Sequence, residues 1–279
     1  MRYEAIYDMF KDEREGMLIL SFDCQKNLAL PKVADQAAYY SRELYCYNFT
    51  VVTGSSHLHI SNENVSIQTW FENERPKSSN EIASAVYGTL QTANLHGIDT
   101  VRLMADGLVG YSFLPSARVL GRIEKEAKRK ETITEPKEYH NIFEHHWPLK
   151  VKGTDWGAYD WKKAARDIVK AASLFVKTNN ILVRGEPYYR TDIEIERGIT
   201  KKNTSFTDAS PHKLPIGIPV TKDKVNDVGD LLLKHFSCEW KSLDSLQWYK
   251  RIVESNGHNV GEEVELPCDC DREEDFSFV

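Results

Sequence analysis

The stretch MLILSFDCQKN, residues 17–27, decides how the rest of the chain is read. An apolar run that stops on an aspartate, a cysteine and a polar turn is the pattern of a buried central strand, and α/β sheets bind ligands at the C-terminal ends of such strands. Asp23 stands at that tip and is the first candidate site residue. TVRLMADG, residues 100–107, repeats the design and ends on Asp106 and a glycine. Two strands that each bring one aspartate to the same sheet edge offer a seat for a divalent metal, so Asp23 and Asp106 form the candidate metal-binding pair.

The residues between these two runs supply the rest of a core. LYCYNFTVV, residues 44–52, is rich in aromatic and β-branched side chains and reads as a second strand, with the polar, aromatic connector QAAYYSRE, residues 36–43, before it. VSIQTW, residues 65–70, alternates apolar and polar positions and reads as a third, half-buried strand, completing an antiparallel meander. Ser78 precedes Glu81 at capping-box spacing, and Ile82, Val86, Leu90 and Ala93 recur at helical intervals up to a stop at Gly97. The order is strand with Asp, strand, strand, helix, strand with Asp. That is the order of a ribonuclease-H-like core, in which the first and fourth strands carry a pair of metal-binding carboxylates and a later helix carries a third acid. The predicted fold class is α/β, a ribonuclease-H-like mixed sheet with a mainly helical C-terminal section.

The motifs FDCQKNLALPK, YYSRELYCYNF, SNE, ADG and VGYSFLPSARVLGRIEKEAKRKETI, taken in order, resemble those of an arthropod-abundant family of DDE-transposase-like proteins. The resemblance runs from about residue 17 to the neighbourhood of Tyr249. It implies a transposon-derived domain whose chemistry, where retained, is metal-dependent cleavage or strand transfer of DNA with Mg2+ or Mn2+. Two departures weaken the catalytic side of that expectation. Ten positions separate Asp106 from Ser116, too few for the helix and strand that the family places there, so the core reads as truncated after Asp106. Ala117 occupies the position of the third acid, and Tyr111 replaces a histidine.

Two-metal phosphoryl transfer needs several carboxylates converging on ions about 3.5–4 Å apart, and alanine supplies no ligand. Glu124 is the nearest substitute, on the helical face of Ala117 but roughly 10 Å further along the axis. The expected catalytic set is therefore Asp23, Asp106 and Glu124, in a domain that has lost catalysis and acts as a nucleic-acid or protein interaction module. An active magnesium-dependent nuclease or transposase and a structural partner protein are the alternatives. The helix after Ser116 carries Arg118, Arg122, Lys125 and Arg129, the candidate contacts to a phosphate backbone, although Glu124, Glu126 and Glu131 dilute the cluster toward an ordinary solvated face.

Other features read as structural. His57 and His59 lack an obvious third ligand, and His145 and His146 are adjacent and read as surface residues. Residues 160–177 form an amphipathic helix, residues 181–185 a short strand, and residues 191–196 a charged edge strand. Residues 201–220 form a proline-punctuated loop, followed by helices over 222–236 and 243–254. The domain reading is a core over 17–150, a mixed section over 151–255 and an acidic tail over 256–279, with Cys268 and Cys270 a lone CxC short of a zinc site.

In 279 residues with 41% hydrophobic content there is ample material for a buried core, and a net charge of −6 argues against non-specific coating of nucleic acid. No apolar run reaches the ~18 residues of a membrane span, and the charged first residues do not resemble a signal peptide. The expectation is a nuclear or cytoplasmic protein with reduced thiols, DNA or protein partners and no membrane.

Overall fold

The computed structural model describes residues 15–54, 58–105, 114–169, 201–205 and 208–256. It divides into two units, Met1–Gly157 with Ile216–Val279, and Ala158–Pro215. The first unit is built on a mixed, open sheet of β1 (Met17–Cys24), β2 (Leu28–Leu30), β3 (Leu44–Thr53), β4 (Val65–Phe71), β5 (Thr100–Ala105) and β6 (Leu149–Val151). The strand order is β5-β1-β3-β4-β6, with β2 added to β3. β1, β3 and β4 form the expected antiparallel meander, while β5 lies parallel to β1 and β6 parallel to β4. Among the described residues there are seven α-helices, six of them in this unit.

Register assigns the faces. Antiparallel partners point to the same side, so Phe22 and Val51 share one face, and Ser21 with Val52 and Asp23 with Thr50 share the other. The first face is apolar: Leu20, Tyr47, Phe49, Val51 and Trp70 pack with Ala85 and Val86 of α2 (Ser79–Thr92) and with Trp156. The second is covered by α3 (Pro115–Arg129) and α4 (Pro136–His146), together with α6 (Lys222–Phe236) and α7 (Gln247–Asn256). Val119, Ile123, Ile142, Phe143, Leu232 and Tyr249 are buried there in one cluster. Burial of each such side chain stabilises the fold by about 1.5–3 kcal/mol. The C-terminal helices thus belong to the core of the sheet. α1 (Gln36–Tyr40) occupies part of the stretch read as a connector.

Several local readings change under tertiary context. β4 is buried on both faces rather than half-buried, because α2 covers one side and the second cluster covers the other. α2 ends at Thr92 rather than at Gly97. Its Ser78 does not cap the backbone. The Ser78 hydroxyl instead donates to the Glu81 carboxylate, which is fully buried and also receives the Arg75 guanidinium at 2.8 Å. β5 is an edge strand with alternating exposure, Val101 at 39% and Leu103 at 49%, not a buried central one. Gly16 joins β5 to β1: its carbonyl accepts from Asp99 and Thr100 N–H, its φ is +84°, and an added Cβ would lie 3.0 Å from Asp99 Oδ2. The helix read over 243–254 opens as a 3-10 turn, Asp244–Leu246, and continues as α7, with another 3-10 turn, Cys238–Ser242, ahead of it.

In the second unit the described part is α5 (Trp161–Ile168), capped by Asp160, whose carboxylate accepts from Lys163 N–H at 3.0 Å. Tyr159 and Lys213 form an antiparallel bridge. The readings at residues 181–185 and 191–196, the lead-in over 1–14 and the CxC tail lie outside the described residues, as does the distal part of the helix read over 160–177.

Candidate functional site

The parallel pairing of β1 and β5, which places Phe22 beside Ala105, brings the C-terminal ends of the two decisive strands together. Asp23 is half-buried at the tip of β1. Asp106 lies outside the described residues.

Around Asp23 the second sheet face is polar rather than apolar. Ser21, Gln25, Asn48, Thr50 and Thr69 are all buried, and so is Ser116 in the first turn of α3, which packs over β1 and β3. Burying neutral polar groups is costly unless they are hydrogen-bonded, and this row bonds largely to itself. Asn48 Nδ2 donates to Gln25 Oε1 at 2.8 Å, Thr50 Oγ1 to Asn48 Oδ1 at 3.1 Å, and Thr69 Oγ1 to the Tyr47 carbonyl at 2.9 Å. Two buried atoms, Gln25 Nε2 and Ser116 Oγ, have no hydrogen-bond partner among the described residues. Asp23, opposite Thr50 in the register, lies on the same face as this row. The signal for this row was available in the sequence, since Ser21, Asp23 and Gln25 alternate with Leu20, Phe22 and Cys24, yet only the register joins them to Asn48 and Thr50.

Glu124 does not join it. The buried positions of α3 are Pro115, Ser116, Val119, Leu120, Ile123 and Ala127, and Glu124 lies off that face, half-exposed and paired with Lys128 at 2.7 Å. Among the described residues no group of three or more carboxylates, histidines or cysteines includes Asp23. The described donors therefore do not fit a two-metal centre, which needs several converging carboxylates.

Arg118, Arg122, Lys125 and Arg129 are all exposed. Their spacing of i, i+4, i+7, i+11 puts them on one stripe of α3, opposite the face that packs on the sheet. Two of the three acids that dilute this cluster in the sequence are engaged elsewhere. Glu124 pairs with Lys128, and Glu126 meets His146 of α4. Arg122 lies over the Trp147 ring, 5.7 Å from its centroid, a cation–π contact that holds one member of the stripe in place.

His59 is exposed, and its sequence partner His57 lies outside the described residues. His145 and His146, read from the sequence as unrelated surface residues, instead converge with Glu126 from the neighbouring helix, a grouping that no local spacing reveals. A cavity of about 300 Å³ between Asn73, Gly217, Ile218 and Ile252 carries no ionisable side chain. No helix among the described residues is long and apolar enough to cross a membrane. Compared with protein-family models, with curated proteins and with solved structures, the chain matches none.

Proposed function

We propose that this chain is a ribonuclease-H-like, DDE-transposase-derived domain that binds nucleic acid through α3 and does not cleave it. The observation that carries the reading is the exposed stripe Arg118, Arg122, Lys125 and Arg129, two of whose acidic neighbours, Glu124 and Glu126, are engaged by Lys128 and His146. Eleven residues at 1.5 Å per residue give the stripe a length of roughly 16 Å, about five steps of a duplex strand at 3.4 Å each. The contacts are to phosphates, so binding depends on salt and little on sequence.

The ribonuclease-H-like assignment is supported by the meander β1-β3-β4 with β5 added parallel to β1. Loss of cleavage is supported by Ala117 at the third-acid position and by the outward pairing of Glu124 with Lys128.

The test is fluorescence anisotropy with labelled single- and double-stranded oligonucleotides over a range of salt concentrations. The slope of log K against log salt should fall in magnitude by about 2 in a Lys125→Ala/Arg129→Ala chain, with affinity lowered equally across sequences. No binding at low salt, or a variant indistinguishable from the parent chain, overturns the interface. Cleavage of the same oligonucleotides with Mg2+ or Mn2+, abolished by Asp23→Ala, would return the protein to the active nucleases.

A further inference from the structure

We infer that Glu126, His145 and His146 form a binding site for a transition-metal dication, zinc above all, that clamps the C-terminal half of α3 to the end of α4. One ligand atom from each residue lies within 4.8 Å of the other two, and Glu126 and His146 are already in direct contact. Four-coordinate zinc with bonds of about 2.0–2.1 Å separates its ligand atoms by about 3.3 Å. The cluster brackets that separation, one pair being closer and the widest being 4.8 Å, so side-chain rotations alone close it around an ion.

The surroundings favour a cation. His145 and His146 occupy the last turn of α4, where unsatisfied carbonyls give the helix end a partial negative charge. The two rings stand edge to face, 4.8 Å between centroids, which keeps both imidazoles on one side of the helix end. Glu126 and His146 are half-buried, with 27% and 31% of their side chains exposed, so water reaches the site without flooding it. Arg122, one turn from Glu126, lies over the Trp147 ring. Two imidazoles and one carboxylate select zinc, copper or nickel over magnesium, which prefers oxygen ligands and keeps its waters. Three protein ligands leave one position of a tetrahedral ion open to water.

The site is independent of the nucleic-acid reading. Isothermal titration of the full chain with zinc chloride should give one ion per chain at this site, and magnesium chloride should give no heat of binding there. Loss of an orienting neighbour alone weakens metal sites about 10–100-fold, so Glu126→Gln and His146→Ala should each weaken zinc binding by about tenfold or more, while His96→Ala leaves it unchanged. Glu126→Gln keeps the shape and hydrogen-bonding reach of the side chain, and circular dichroism of that variant separates ligand loss from misfolding. The thermal midpoint of the parent chain should rise with zinc concentration, and that of Glu126→Gln should not. Zinc binding that survives His145→Ala/His146→Ala and disappears only with Cys268→Ser/Cys270→Ser overturns the proposal, as does the absence of zinc binding by the parent chain.

Discussion

At the residue scale, burial decides which polar groups are active and which are structural. Glu43 is half-buried beside the start of β3, and desolvation pushes its carboxyl up to about 7 against the opposing attraction of Lys224. Because the folded pKa lies above the unfolded value, the folded state holds its proton more tightly. Stability from this group is complete below the ordinary carboxylate range and is lost as pH rises to about 7. Glu43→Gln should therefore flatten the fall in unfolding free energy between about pH 4.5 and pH 7, measured by urea denaturation across that window. An unchanged pH profile would remove Glu43 as its cause. Tyr249 is fully buried and its hydroxyl donates to the Thr134 carbonyl at 2.7 Å. Tyr249→Phe leaves that carbonyl without its donor and should cost about 1–3 kcal/mol, read from the denaturation midpoint.

At the scale of the element, α3 shows how one helix acquires three different faces. Its apolar stripe docks on β1 and β3, its basic stripe is exposed, and its C-terminal carbonyls are closed from outside the helix. The Lys32 ammonium donates to the Ala127 carbonyl at 2.7 Å and to that of Lys130, while burial lowers its pKa. Lys32 and Ile133 form a two-residue bridge that holds the lysine in place. A positive group on terminal carbonyls satisfies them and opposes the helix dipole. Lys32→Met keeps the stem and removes the charge, and should destabilise the fold by about 1 kcal/mol in a thermal or urea transition. A neutral result would mean that water serves those carbonyls equally well.

At the scale of the molecule, the second face of the sheet is closed by segments far apart in sequence. Val228, Leu232, Leu246 and Tyr249 share one cluster with Leu44, Ile67, Val119 and Phe143. A chain ending at residue 215 loses the former group and exposes the latter. Such a chain should fail to give a cooperative unfolding transition, and should bind a hydrophobic dye where the full chain does not. A truncated chain with a sharp transition near that of the parent would show that the sheet with α3 and α4 is a complete core. The basic stripe makes a separate whole-molecule prediction. With a net charge of −6, association with nucleic acid should be local to α3 and should weaken steeply with added salt.

The sequence by itself determined four of the six described strands, because apolar runs and period-two alternation are local, while the three-residue β2 and β6 are too short to carry such a pattern. β1, β3, β4 and β5 fall within a residue or two of where their patterns place them, and α6 covers residues 222–236 as its periodicity says. The α/β class and the meander were legible for the same reason. Tertiary structure alone decided which face each polar residue joins. Ser21, Gln25, Asn48 and Thr50 become one buried row through a cross-strand register that no single segment encodes. Glu124 turns to Lys128 because Ile123 and Ala127 claim the sheet side of α3. Glu126 reaches His145 and His146 because α3 and α4 pack side by side, at a separation in sequence that helical spacing cannot see. Local pattern sets what a segment buries; only packing sets what its remaining side chains meet.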